Sequence, residues 1–198
     1  MKTLKTLLLT LALGVSTILC AQDSPVPMLE NVANQIINTL NQNKGNLKNN
    51  HAIIHQAVTR YLLPVVDVTG MSRSVLGRQA WNQATSAQKK EFTQEFTKLV
   101  IRTYSTPLAE YSDEKVKFLP LRGATNGKFI RVNSVISRSN GQNIPLSYSL
   151  VSKNGQWKIY DLSVEGVSLL QSFRSQFGQI LQNSSMDELI NQMRKKAA

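Results

Sequence analysis

Two histidines, His51 and His55, have the spacing that could bind a metal ion in this sequence. Their i, i+4 separation would place both imidazoles on one face of a helix, where a zinc ion could reach them. No glutamate stands between them as in a zinc-protease motif, and no third ligand is evident. Asn49, Asn50 and Gln56 are typical of a solvated surface. The sequence therefore predicts no metal site here.

A Gly-Val-Ser stretch, Gly166 to Ser168, partly matches the turn that holds the serine nucleophile of many hydrolases. That turn needs a second glycine two residues after the serine, and Leu170 stands there instead. Both histidines also precede Ser168, whereas the hydrolase order places the histidine last. The spacing from Ser168 to Gln171 is typical of a capping box. We therefore predict that Ser168 caps a helix.

Asp161 and Glu165 stand near the end of a predicted strand, beside apolar residues. A buried carboxylate in such a place could act as a general base. The structural alternative is an ion pair, for example between Glu165 and Arg174 of the following helix. The sequence places no second catalytic group nearby, which favours the structural role. An enzyme that uses Asp161 or Glu165 as its base stays open as a rival, but we predict no catalytic residue.

The elements that must position these residues follow from the periodicity of apolar side chains. Helical spacing is predicted over residues 29–43, 47–63, 67–77, 86–111, 168–182 and 185–196. A period of two predicts strands over residues 116–121, 129–137, 144–150 and 157–162.

Two turn signals connect the predicted strands. Asn140-Gly141 and Asn154-Gly155 each tolerate positive φ and predict two successive hairpins. Trp81 falls in a predicted linker, and Pro107 is expected to bend or end its helix. The order of elements predicts an α+β fold, with helices packed on one face of a curved antiparallel sheet of about four strands.

The N-terminus reads as an export signal. Lys2 and Lys5 precede an apolar run over residues 7–19, which is shorter than the ~20 residues that span a bilayer. We predict a cleaved signal peptide over residues 1–21 and a single domain over residues 22–198. The protein is expected in the periplasm.

Cysteine and charge content restrict the function further. Cleavage would remove Cys20, the only cysteine, so the mature chain would have neither a disulfide nor a thiolate metal site. Lipidation of Cys20 is an alternative that Leu19 disfavours, because a small residue normally precedes a lipidated cysteine. The formal net charge of +11 indicates anionic membrane surfaces or an acidic partner in an exported protein, or solubility alone.

The segment from Trp157 to Phe177 resembles the signature of the MlaC family, also called the toluene-tolerance family. Two further stretches match in the expected order, Asp67 to Trp81 and Phe92 to Tyr104 with its following Ser-Thr-Pro-Leu. The match covers nearly the whole mature chain. It departs from the family pattern at Phe173, where tyrosine is common.

This resemblance implies a fold similar to nuclear-transport-factor-2-like domains, with a deep apolar cavity between sheet and helices. It implies a periplasmic carrier of glycerophospholipid rather than an enzyme, with phospholipid as cargo, no cofactor and no nucleic acid. The implied partners are an outer-membrane lipoprotein–porin complex and an inner-membrane transporter with an MCE-domain ring, in an Mla-type ABC transport system. A solid-core adaptor or chaperone stays open, because the sequence does not separate a filled interior from a hollow one.

Under the resemblance, a set of apolar residues is expected to line the cavity. The long helix would contribute Phe96, Val100 and Tyr104. The sheet and the elements beyond it would contribute Val132, Tyr148, Leu150, Trp157, Ile159, Val164, Val167, Leu170 and Phe173. The strand positions depend on register, since a shift of one residue exchanges the two faces. The rim is expected to include Arg78, Arg102 and Lys128.

Overall fold

The computed structural model describes residues 23–110, 113–121, 127–138 and 140–197. The α-helices are α1 (Val26–Gln42), α2 (Ala52–Ala57), α3 (Val68–Gln83), α4 (Ser86–Ala109), α5 (Leu169–Asn183) and α6 (Met186–Ala197). The strands are β1 (Lys115–Phe118), β2 (Phe129–Ser137), β3 (Asn143–Lys153), β4 (Gln156–Val164) and β5 (Val167–Ser168). The predicted α+β class is confirmed, and the predicted signal peptide lies outside the described residues.

The strands form one antiparallel sheet in the order β1-β2-β3-β4-β5. The β3–β4 connection is the predicted Asn-Gly turn, with φ of 51° at Asn154 and 74° at Gly155, as a type I′ hairpin requires. The sequence did not indicate a similar turn between β4 and the short β5. There Glu165 and Gly166 have φ of 50° and 82°.

A bulge interrupts the pairing of β3 with β4. Leu150 pairs with Ile159, whereas the preceding Ser149 pairs with Asp161, so Tyr160 is the extra residue on β4. Such a bulge bends its strand and raises the local twist. The sheet therefore curves at the point where β4 meets the helices.

The second predicted helix, over residues 47–63, is less regular than its periodicity indicates. After α2 the chain continues as a π-helical turn, Val58–Leu62, and a 3₁₀ turn, Leu63–Val65. Pro64 has no backbone N–H and cannot continue an α-helical ladder. The irregular segment then pairs with the sheet, since Val66 bridges Ile159 and the Asp67 N–H donates to the Ile159 carbonyl at 2.8 Å.

The helix α3 is longer than the predicted 67–77, and the placement of Trp81 in a linker is wrong. Asp67 caps its start by accepting the Gly70 N–H at 3.1 Å. At Gly77 the backbone takes φ of 76° and ψ of 164°, which kinks the helix. A second helical stretch follows the kink and includes Trp81. The predicted break is therefore a kink that glycine permits.

The helix α4 begins as predicted and continues past its proline. Thr85 and Gln88 form a complete capping box, with hydrogen bonds of 3.0 and 3.1 Å. Pro107 lies inside the last turn of the helix. The helices α5 and α6 pack on α3 and α4, and the face of α4 turned toward them is filled with apolar side chains.

Candidate functional site: an apolar cavity between helices and sheet

A cavity of about 560 Å³ lies between the helices and the inner face of the sheet. This volume falls within the range of about 300–1,000 Å³ that is usual for ligand sites. Aliphatic and aromatic side chains form most of its wall. The helix α1 and the segment after α2 supply Leu29, Val32, Ala33, Ile36, Ile37, Leu40, Val58, Leu62, Leu63 and Val66.

The sheet wall follows strand register. Pairing places Val116 opposite Ile136, Ile136 opposite Ile144, and Leu146 opposite Val164. Paired residues in neighbouring strands project from the same face of a sheet, and all of these residues line the cavity. Strands β1 to β4 therefore present a row of branched aliphatic side chains to the cavity.

The bulge on β4 adds a wall residue that alternation would place outside. Ile159 and Leu162 would face opposite sides of a regular strand, because side chains alternate. The extra residue between them, Tyr160, shifts the alternation of side chains by one position, so both side chains line the cavity. The sequence carries no signal for this bulge.

Two tyrosines place hydroxyl groups in the wall. Burial raises the pKa of the Tyr104 phenol, and the negative charge of Asp161 raises it further. Burial also raises the pKa of Tyr148, against the opposing effect of its 3.4 Å hydrogen bond with Ser134. Both phenols are therefore uncharged at neutral pH, as a wall for apolar cargo requires.

Charged side chains enter the wall at one end of the sheet. Glu114 precedes β1, Arg138 follows β2 and Glu165 follows β4. Because neighbouring strands run in opposite directions, these three positions lie at the same end of the sheet. Arg138 and Glu165 are exposed, as is Pro107 at the end of α4. The exposure of these wall residues identifies the mouth of the cavity.

Half of the residues predicted to line a cavity do so. They are Phe96, Val100, Tyr104, Tyr148, Ile159 and Val164. They come from α4 and from the inner face of the sheet.

Three predicted wall residues lie on the inner face of the sheet, as predicted, but at positions along the strands that the cavity does not reach. Val132, Leu150 and Trp157 are buried in a cluster with Leu29 and Ile159, and of these five only Leu29 and Ile159 line the cavity. The Trp157 indole N–H donates to the carbonyl of Asp23 at 2.7 Å. These side chains close the far end of the space between α1 and the sheet, so the cavity does not reach them.

The remaining predicted wall residues lie elsewhere. Leu170 and Phe173 are buried in the cluster formed by α3, α4, α5 and α6, because α5 turns this face away from the cavity. Val167 projects into solvent with 64% of its surface exposed. Neighbouring Leu169 supplies the contact of this segment with the cavity.

The predicted rim residues are not at the mouth. Arg78, Arg102 and Lys128 are exposed but lie outside the cavity wall. Lys128 instead lies over the ring of Phe129 at 5.9 Å. The charges at the mouth come from strand ends, and sequence spacing alone does not indicate which strand ends meet.

The apolar stripe of α1 was predicted, but its place in the cavity wall was missed. Its residues recur at helical spacing, and the same pattern is typical of a helix that packs against a filled core. The structure places Val32, Ile36 and Ile37 over open space. Only the distance between α1 and the sheet, which no local pattern records, separates these two outcomes.

Asp161 has a structural role that accounts for its position. Its Oδ1 accepts the N–H groups of Leu162 and Leu170 at 2.9 and 3.1 Å, and its Oδ2 accepts the Ser168 hydroxyl at 2.6 Å. Ser168 Oγ in turn accepts the Gln171 N–H at 3.1 Å. The two side chains thus cap α5 and join it to β4, where a negative charge is favourable.

The other candidate groups form no site in the described part of the chain. The ion pairs there do not include the predicted one between Glu165 and Arg174. The Arg174 guanidinium lies near Gly77 instead. No cluster of histidine, cysteine and carboxylate residues with metal-binding geometry occurs among the described residues. None of the described helices is long and apolar enough to span a membrane.

Known proteins are similar to this chain in sequence. The model of the MlaC protein family matches residues 30–195. The toluene tolerance protein ttg2D of Pseudomonas putida is 28% identical over 91% of this chain and 83% of its own. The intermembrane phospholipid transport system binding protein MlaC of Haemophilus influenzae is also 28% identical, over 99% of this chain and 92% of its own.

A solved structure has the same fold. The phospholipid-binding protein from Ralstonia solanacearum, in complex with a phospholipid, superposes with a TM-score of 0.81 at 23% sequence identity. The match covers 88% of this chain and 97% of that protein.

Proposed function

Because the chain belongs to the MlaC family, we propose that it carries glycerophospholipid, with the acyl chains in the cavity and the headgroup at its mouth. The observation that carries this proposal is an apolar cavity of about 560 Å³ whose charged wall residues are gathered at one end of the sheet. Acyl chains need a dry wall, and a headgroup needs polar surroundings. The solved phospholipid complex of a protein with the same fold supports the same cargo.

The energetics suit a carrier that performs no reaction. Each CH₂ group removed from water contributes ~0.8 kcal/mol, so acyl chains in the cavity are strongly favoured over acyl chains in water. A lipid in a bilayer is already removed from water, so moving it into the cavity changes little. The transfer is therefore nearly balanced in both directions, and binding alone supports transport.

The wall contacts follow from the same proposal. Phe96, Val100 and Tyr104 of α4 would contact acyl chains from one side, and Tyr148, Ile159 and Val164 of the sheet from the other. Ile36 and Ile37 of α1 would cover them. Asp161 is part of a helix cap, which supports a carrier over an enzyme that uses this residue as its base.

The setting of this function is the periplasm, after removal of the predicted signal peptide over residues 1–21. The proposed exchange partners are an outer-membrane lipoprotein–porin complex and the MCE-domain transporter of the inner membrane. The name of the Haemophilus influenzae relative, which describes a phospholipid transport system, supports this assignment. Loss of Lys2 and Lys5 with the signal peptide lowers the net charge from +11 to +9, which would still favour acidic surfaces on such partners.

Native mass spectrometry of the protein purified from cells tests carriage directly. The expected result is the polypeptide mass plus the mass of phospholipid, released as intact lipid on activation in the gas phase. Val100→Glu should remove most of that lipid, because an ionised carboxylate in the cavity wall would lose its hydration against acyl chains. The secondary structure should persist by circular dichroism.

Val167→Glu is the matched control. It introduces the same side chain at an exposed position outside the cavity wall. It should therefore keep wild-type lipid content. Detection of the bare polypeptide alone, from wild-type protein under gentle ionisation, would refute the proposal and favour a solid-core adaptor.

A further inference from the structure

Three charged side chains, Glu114, Arg138 and Glu165, stand at the mouth of the cavity, and Arg138 and Glu165 are the two that are exposed. Arg138 follows β2 and Glu165 follows β4, and both strands pair with β3. Because β2 and β4 run in the same direction, both residues lie at one end of the sheet. Because β3 lies between β2 and β4, the backbones of the two residues are separated by two strand spacings, or roughly 10 Å. Long side chains can converge over that distance on a single small group.

Hydrogen bonds hold both residues at this end of the sheet. The Arg138 N–H donates to the Gln142 carbonyl at 2.9 Å, and its guanidinium Nη1 donates to Gln142 Oε1 at 3.2 Å. The Glu165 N–H donates to the Pro145 carbonyl at 2.9 Å. The ion pairs among the described residues include neither Arg138 nor Glu165. Both exposed charges are thus available to a ligand at the mouth.

We propose that this pair makes the mouth selective for a zwitterionic phospholipid whose headgroup ends in a primary amine. The inference rests on the proposed carriage of phospholipid and names its preferred class. The guanidinium of Arg138 can donate two parallel hydrogen bonds to the phosphate. The carboxylate of Glu165 accepts hydrogen bonds from the ammonium group. The charges of Arg138 and Glu165 are then matched by the two charges of the headgroup.

Other headgroups satisfy only part of this arrangement. A choline group brings the positive charge but has no N–H to donate to Glu165. A glycerol headgroup brings no positive charge, so the carboxylate of Glu165 would face a negatively charged lipid without compensation. Even without Lys2 and Lys5 the net charge is +9, which attracts anionic lipids to the protein as a whole. A carboxylate at the mouth opposes that general attraction, and such local repulsion is a means of specificity.

A competition between lipids tests the preference. The purified protein is incubated with vesicles that contain equal amounts of ethanolamine, choline and glycerol phospholipids with identical acyl chains. It is then reisolated, and the bound lipids are identified by native mass spectrometry. We expect the ethanolamine lipid to exceed the glycerol lipid about threefold, the scale of one solvent-exposed ion pair. The choline lipid should fall between them.

Variants of Glu165 assign the preference to this residue. Glu165→Gln should bring the ratio of ethanolamine to glycerol lipid close to one, and Glu165→Lys should reverse it. Glu188→Gln removes the same charge from an exposed position on α6, outside the cavity wall, and should keep the wild-type ratio.

The outcomes separate this inference from the function on which it rests. Wild-type protein that takes up the three lipids in the proportions of the vesicles would overturn the headgroup preference and leave carriage intact. A preference that persists in Glu165→Lys would overturn the role of the pair. Wild-type protein that takes up no lipid would overturn the proposed function itself.

Discussion

The two sides of α4 bury apolar side chains in different ways. Toward α5 and α6, Phe92 and Phe96 contact Phe173 and Phe177, with ring centroids 5.3 to 6.0 Å apart. We call this filled region the phenylalanine core. Toward the sheet, Val100 and its neighbours border the cavity of about 560 Å³. Both sides are mainly apolar, and Phe96 borders both regions, so the partner element decides whether the space is filled.

The partner elements differ in how closely they can approach. Neighbouring helices pack with axes roughly 8–10 Å apart, a distance that side chains fill. A curved sheet moves away from a straight helix along its length. The bulge at Tyr160 increases that curvature. A filled core and a hollow one therefore arise from similar side chains on one helix.

The largest expected effect compares one substitution in the two regions. Ile190→Ala removes a fully buried side chain beside the phenylalanine core and should lower the free energy of unfolding by about 3 kcal/mol, because it leaves a new void. Ile37→Ala removes the same atoms from the cavity wall and should cost less than half as much, because space already lies beside it. Urea denaturation of lipid-free protein measures both. Equal losses would contradict the distinction between a filled and a hollow region.

An intermediate effect is expected where the two regions meet. Asp161 joins β4, which lines the cavity, to α5, which completes the phenylalanine core. Asp161→Asn removes the charge that accepts the Ser168 hydroxyl and two backbone N–H groups. The free energy of unfolding should fall by about 2 kcal/mol, as for hydrogen bonds to a charged group.

Asp187→Asn provides the control for that substitution. Its side chain is exposed on α6 and lies outside the joint between β4 and α5. It should change stability far less than Asp161→Asn. If both variants unfold at the same denaturant concentration as wild-type protein, the hydrogen bonds of Asp161 do not stabilise the joint between β4 and α5.

The smallest effect concerns alkaline pH and tests how dry the cavity wall is. Burial raises the folded-state pKa of Tyr148 above its unfolded value of about 10. The folded protein then holds the phenol proton more tightly than the unfolded chain. The contribution of this proton to the free energy of unfolding is complete below pH ~10, the unfolded-state pKa, and is lost as pH rises through the raised folded-state pKa. Tyr104 should add to the same loss, because its pKa is also raised.

Tyr148→Phe should reduce this alkaline loss of stability, measured as the difference in unfolding free energy between neutral and alkaline buffers. Tyr61→Phe removes a tyrosine outside the cavity wall and should leave the loss unchanged. A Tyr148→Phe variant with the same alkaline loss as wild-type protein would indicate that water reaches this part of the wall.

Local signals in the sequence account for most of the fold. The Asn154-Gly155 turn, the Thr85 cap and the Ser168 cap each depend on residues a few positions apart, and the structure contains all three. The helix boundaries near Pro64 and Gly77 were less predictable. There the backbone adopts π-helical, 3₁₀ or kinked geometry that propensity does not describe.

The candidate site was less predictable because it depends on long-range geometry. Strand alternation gave the correct inner face for Val132, Leu150 and Trp157, but not how far along the strands the cavity extends. The bulge that turns Leu162 inward has no local signature. Arg138 and Glu165, two of the charged residues at the mouth, come together only through the pairing of β2 and β4 with β3.

The helix α1 is fixed at both ends and borders the cavity between them. The Trp157 indole fixes the carbonyl of Asp23 just before its start, and Leu40 is buried in a cluster at its end. Between these points Ile36 and Ile37 face the open cavity. Because both ends of α1 are fixed, we expect a change in the width of the cavity to bend this helix near its middle. A hinged motion of the whole helix, as in a lid, would break the contacts at one end.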